Sequence, residues 1–171
     1  RMSVPRPLWP IVWPWQDGQG RTMKWRDAIY SRWFSLSYLS VIGVLYALLG
    51  LGSSSCSPPS EIIICDFALW PYNLFEAPHL FVVSVFTSIW FHNSSDHIIL
   101  VVIVIVLFLQ SAEVRIGRKR ALIAMFSVQF AAAVIMTLYL YAGNHFNPED
   151  DWYHYGIYSR NYMGGSVGLF G

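Results

Sequence analysis

Three charge-free apolar runs, Phe34 to Leu51, Ile98 to Leu109 and Ala121 to Ala142, restrict this chain more than any other feature. An α-helix rises ~1.5 Å per residue, so about 20 apolar residues cross a hydrocarbon core ~30 Å thick. The third run reaches that length, and the first crosses most of the core with help from flanking aromatics. With 55% hydrophobic and 12% charged residues in 171, the apolar surface exceeds what one soluble core of ordinary composition can bury. The expected fold class is all-α, a polytopic transmembrane helical bundle.

The spans follow from the breakers. Phe34 to Leu51 is read as the first helix, with Gly43 and Ala47 four apart and small enough for a close helix contact. Gly52 to Ser60 is a breaker, and an apolar but irregular stretch follows, lying against or dipping into the membrane. Ser94, Ser95 and Asp96 are good N-cap types ahead of Ile98, which predicts a second helix over about 94–112 and makes Phe81 to Phe91 a half-buried approach segment. The third helix is placed at about 121–142, where Ala131 to Ala133 suit a close contact, followed by a polar loop over 143–162 and a fourth helix from about 163 onward. The start at Arg1-Met2 and the stop at Gly171, inside an apolar glycine motif, give the expectation of a chain trimmed within that fourth helix. Cys56 and Cys65 share the loop after the first helix, and both a disulfide and two free thiols fit them.

Charge gives the orientation. Of eleven Lys and Arg, six lie in residues 1–33 and four more, Arg115, Arg118, Lys119 and Arg120, fall between the second and third helices; the other is Arg160. Basic residues near span ends are retained in the cytoplasm, which places the N-terminus there and the loops 52–91 and 143–162 on the outer side. One crossing between Gly52 and Arg115 satisfies this rule, and two would break it. Residues 1–33 interleave Trp9, Trp13, Trp15, Trp25 and Trp33 with basic residues, the pattern of an interfacial arm whose indoles favour the headgroup layer and whose cations meet anionic lipid. A packing arm laid on a neighbouring subunit fits the early prolines equally well. No basic stripe suited to nucleic acid is present.

Three residues draw attention chemically. His92 and His97 flank the polar break at the outer surface, and Ser166 sits among glycines in Gly164-Gly-Ser-Val-Gly-Leu-Phe-Gly171. A nucleophilic or ionisable group at membrane depth is a functional hypothesis, yet a serine needs a base and oxyanion donors before it can attack. Simpler readings stand beside it. Gly164 and Gly168 suit helix packing, Ser166 can bond its own backbone, and water can satisfy the histidines. A histidine ligating a haem or chlorophyll-type metal is a third reading.

The run Phe86-Thr-Ser-Ile-Trp-Phe-His92-Asn-Ser-Ser-Asp-His97, the Glu113-Val-Arg115-Ile-Gly117 after the second helix, and the Gly-x-Ser motif with Gly171 five residues beyond Ser166 resemble, in order and spacing, the second to fourth helices of rhomboid intramembrane serine proteases. The likeness covers about Phe86 to Gly171. It implies a rhomboid-like bundle with Ser166 as nucleophile, His97 as the oxyanion-side histidine, His92 as the other second-helix histidine, and Glu113 and Arg115 as a structural turn at the cytoplasmic end. The family's base histidine would lie beyond Gly171. This chain departs from the pattern: Val101 stands where the family has its oxyanion asparagine, Val167 replaces a glycine, and the first outer loop lacks a Trp-Arg pair. These departures favour a non-catalytic accessory or scaffolding subunit that binds transmembrane helices within a larger membrane complex, for example respiratory or photosynthetic. The alternative is a protease that cleaves transmembrane substrates. No cofactor or resident metal is expected in either case.

Overall fold

The computed structural model describes residues 11–50, 65, 67–92, 94–159 and 162. The first ten residues of the arm, the breaker at 52–60, Cys56, and the Gly164 to Gly171 motif with the helix expected from about 163 lie outside them. The described residues are mostly helical, with two isolated β-bridges, Gln16 to Thr22 and Leu69 to Tyr162, and no strand. The helices are α1 (Trp25–Ser31), α2 (Trp33–Leu49), α3 (Asn73–Glu76), α4 (Pro78–Thr87), α5 (Ser95–Val104), α6 (Gln110–Ile116), α7 (Arg118–Phe146) and α8 (Asp151–Tyr158). A 3₁₀ turn, Ser88–Trp90, extends α4, and a π-turn, Ile105–Leu109, joins α5 to α6.

Among the described residues, two helices are long and apolar enough to cross a membrane. They are the continuous Ser95–Ile116 and Arg118–Phe146; Trp25–Ser31 with Trp33–Leu49 makes a third if that pair, bent by 76°, counts as one span. α7 outruns its expected 121–142 at both ends. Gly117, at φ 86°, turns the chain between α6 and α7 in a backbone conformation that glycine adopts without a Cβ penalty.

The core joins α2, the α5–α6 span and the first turns of α7 through Phe34, Tyr38, Ile42, Val101, Val104, Ile105, Leu109 and Met125. The π-turn accommodates the second span's sequence. Val101, Val104 and Ile105 are buried at ordinary helical spacing, and the wider turn then carries Leu109 and Glu113 to the buried side. A second cluster sets Phe81 and Val85 of α4 against Ala133 of α7, so the alanine run makes its close contact there. On α2, by contrast, Gly43 and Ala47 are exposed, and a Cβ added at Gly43 meets nothing within 4 Å.

α4 fills the place of the expected approach segment. Its end sets Phe86 against Phe126, the rings tilted at 53°, while Phe75, just before it, contacts Tyr141, so α4 runs antiparallel to α7. With its 3₁₀ turn it is 13 residues, ~20 Å long, and ends with Trp90 edge-on to Tyr38 and the Tyr38 hydroxyl donating to Ile89 O at 2.9 Å.

The expected polar loop over 143–162 contains a helix. Asp150 caps α8 by accepting from Trp152 N at 3.0 Å. Close packing then seats α8 on α7: a Cβ on Gly143 would overlap the Tyr153 ring, and one on Gly156 would lie 2.9 Å from Leu140.

Candidate functional site

Two of the candidate residues meet where the 3₁₀ turn after α4 gives way to α5. Phe91 is extended after the 3₁₀ turn, and Ser94 starts α5 by accepting from His97 N at 3.2 Å. His92 therefore lies just before the helix and His97 in its first turn. Their rings meet edge to face, with centroids 5.0 Å apart. His97 is half-buried, whereas His92 is 4% exposed and, among the described residues, neither of its ring nitrogens has a hydrogen-bond partner. Burial, and secondarily the neighbouring His97, push the His92 imidazole down to about 4, so it is neutral at physiological pH.

A neutral imidazole has one N–H donor and one acceptor nitrogen. The pair can therefore offer a donor to a developing oxyanion, or hold a polar group brought against it. Val101, in the position of the family's asparagine, is a buried core residue packed with Tyr38 and Ile89 and offers no side-chain donor. Ser166 lies outside the described residues. Among those residues no group of three or more His, Cys, Asp or Glu side chains could hold a metal ion.

Glu113 and Arg115 lie at the opposite end of the second span, ~30 Å from the histidine pair at helical rise. Glu113 is fully buried, and its carboxylate accepts from Phe34 N at 2.7 Å, Ser35 N at 2.8 Å and the Ser35 hydroxyl at 2.8 Å. It caps the first turn of α2 from a different helix. Beside it lies a polar cluster that the sequence did not announce. Arg32, also buried, donates through Nε to Gln110 Oε1 at 2.6 Å, through Nη1 to Ser31 Oγ and Ala28 O, and through Nη2 to Trp13 O and Gln16 O. Ser111 Oγ accepts from Val12 N at 2.8 Å, and Gln110 Nε2 donates to Val12 O. The arm is thereby tied to the end of the second span. A cue lay in the sequence: Gln110, Ser111 and Glu113 follow directly on an unbroken apolar run, where a polar group that turns inward must find partners.

Cys65 is disulfide-bonded. The chain's one other cysteine is Cys56.

No protein-family model, curated protein or solved structure matches the chain.

Proposed function

We propose that the chain is a rhomboid-like integral membrane protein acting as a non-catalytic accessory or scaffolding subunit that binds transmembrane helices within a larger membrane complex. The observation that carries this reading is Val101, a fully buried packing residue in the position where the resemblance calls for an oxyanion donor. Losing one such donor costs on the order of a hundredfold or more in rate. Support for helix binding comes from α2, whose Gly43 and Ala47 are open to a partner helix. The protein's purification state in mild detergent tests the reading: it should migrate with a larger assembly, and a serine-directed isocoumarin probe should leave it unlabelled. Isolation as a monomer with probe labelling that disappears in Ser166→Ala would overturn it.

The second reading, an intramembrane serine protease with Ser166 as nucleophile, is favoured by His92. Its buried, unpartnered nitrogens beside His97 suit a polar reaction partner. Cleavage of a transmembrane substrate, abolished by Ser166→Ala and strongly reduced by His97→Ala, would establish this reading in place of the first.

A further inference from the structure

We propose that α1 and the described part of the arm before it, residues 11–24, form a rigid collar that docks on the headgroups of an anionic lipid leaflet. Four observations converge on this surface.

The first is direction. α1 is bent 76° from α2, so when α2 crosses the bilayer α1 lies close to the membrane plane. The second is exposure. α1 buries none of its residues, with Trp25 72% and Tyr30 73% exposed, and the adjoining Trp13, Trp15 and Trp33 are exposed as well. Trp25 and Ile29, four apart, share one face of α1, while Asp27 lies on the opposite one. Trp13 and Trp15 stack at 5.6 Å, adding an indole pair to the same end. Large apolar rings in such number are costly in water, and amphipathic aromatic rings suit the headgroup layer.

Charge is the third. Lys24 and Arg26 are exposed beside these rings, and neither forms an ion pair with a described residue. Arg118, Lys119 and Arg120 are exposed at the start of α7, the end to which Glu113 and the arm tie α2. The acidic residues Asp96, Glu149, Asp150 and Asp151 sit at the other end, on the first turn of α5 and around the start of α8. The aromatic end therefore presents net positive charge, complementary to anionic headgroups.

The fourth is rigidity. Arg32 is not one of the lipid-facing cations. Its guanidinium is spent on carbonyls and side chains of the arm, α1 and α6, which holds the exposed rings in place. A preformed surface loses less entropy on docking than a flexible tail does.

The test uses the full chain in nanodiscs of equal phosphatidylglycerol and phosphatidylcholine, with native mass spectrometry of the retained lipids. Wild type should retain phosphatidylglycerol preferentially. Lys24→Gln/Arg26→Gln should cut that preference roughly fivefold per cation removed, on the order of 25-fold together. Both side chains are exposed, so the melting temperature should not change. Equal retention of the two lipids by wild type overturns the proposal, as does an unchanged preference in the double variant. A collar shielded by a neighbouring protein subunit would give the first of those results. If the double variant misfolds, the wild-type lipid ratio decides alone.

Discussion

The Glu113 carboxylate accepts the backbone N–H groups of Phe34 and Ser35 at 2.7 and 2.8 Å, so one helix supplies the N-cap of another across 79 residues of chain. Arg32 at the N-cap position offers no side-chain cap, and Glu113 satisfies donors that the helix leaves open. Glu113→Ala removes the acceptor from three buried donors at once. Hydrogen bonds to charged groups contribute about 1.5–3 kcal/mol each, so a loss of roughly 3 kcal/mol or more is expected. Ser35→Ala, which removes one donor, should cost about 1 kcal/mol. Tryptophan-detected thermal unfolding in detergent ranks the two, and equal effects would refute the capping role.

Arg32→Lys should release the arm while leaving the spans intact. A lysine ammonium has three donors on a flexible stem and cannot reproduce the planar fork that reaches Gln110, Trp13 and Gln16 together. Trypsin should then cut after Arg21 or Lys24 at least several times faster than in wild type, with the remaining bundle folded. Unchanged cleavage would mean that the arm is held without Arg32.

How much of this was legible in the sequence depends on what sets each feature. Spans are visible because solvent sets them: lipid requires long apolar runs, and the α5–α6 and α7 helices lie where those runs predict. Charge argued for a single crossing before Arg115 to Arg120, and the segment before the second span is a helix too short to count among the candidate spans. α8 was hidden because its composition is that of a loop, and its helix depends on Asp150 as a cap and on glycines that admit the Tyr153 ring and Leu140. The Arg32 cluster was only half legible: Gln110 and Ser111 after an apolar run hinted at inward polar partners, but three of the acceptors that hold Arg32 are backbone carbonyls, which no side-chain pattern reveals. His92 and His97 stood out by type and spacing, but the loss of every hydrogen-bond partner at His92 is a property of packing alone.

Gly143→Ala tests the seat of α8. The added methyl would collide with the Tyr153 ring and force α8 away from α7. Overpacking of this kind costs about 1–3 kcal/mol. Adding Tyr153→Ala should recover part of the loss by removing the obstructing ring, and a neutral Gly143→Ala would show that α8 is loosely held.

Cys65 should resist alkylation in the unreduced protein, with a mass gain appearing after reduction. A disulfide typically stabilises a fold by about 2–4 kcal/mol. Reduction should therefore lower the melting temperature measurably, and a freely alkylated Cys65 would contradict the bond.

His92 makes stability depend on pH in a defined direction. It lies outside the candidate spans, and its folded-state pKa of about 4 is below the ordinary imidazole value of 6.5. Between those values the unfolded chain binds a proton that the folded chain refuses, so stability falls as pH drops from about 6.5 towards 4 and is unaffected by this group above 6.5. The slope is at most about 1.4 kcal/mol per pH unit. His92→Phe removes both the titration and the two unpartnered nitrogens. It should flatten the melting-temperature profile across that window relative to wild type, and at pH 7 it should be neutral or stabilising, because an apolar ring of similar shape leaves no polar atom unsatisfied. Comparing the two profiles cancels the histidines remote from His92, and His97, which touches it, is held constant by carrying His97→Gln in both proteins. Identical slopes would mean that His92 finds a partner or stays open to water. A strong loss of stability at pH 7 would mean that its nitrogens hold a polar group, the condition on which any chemistry at this site depends.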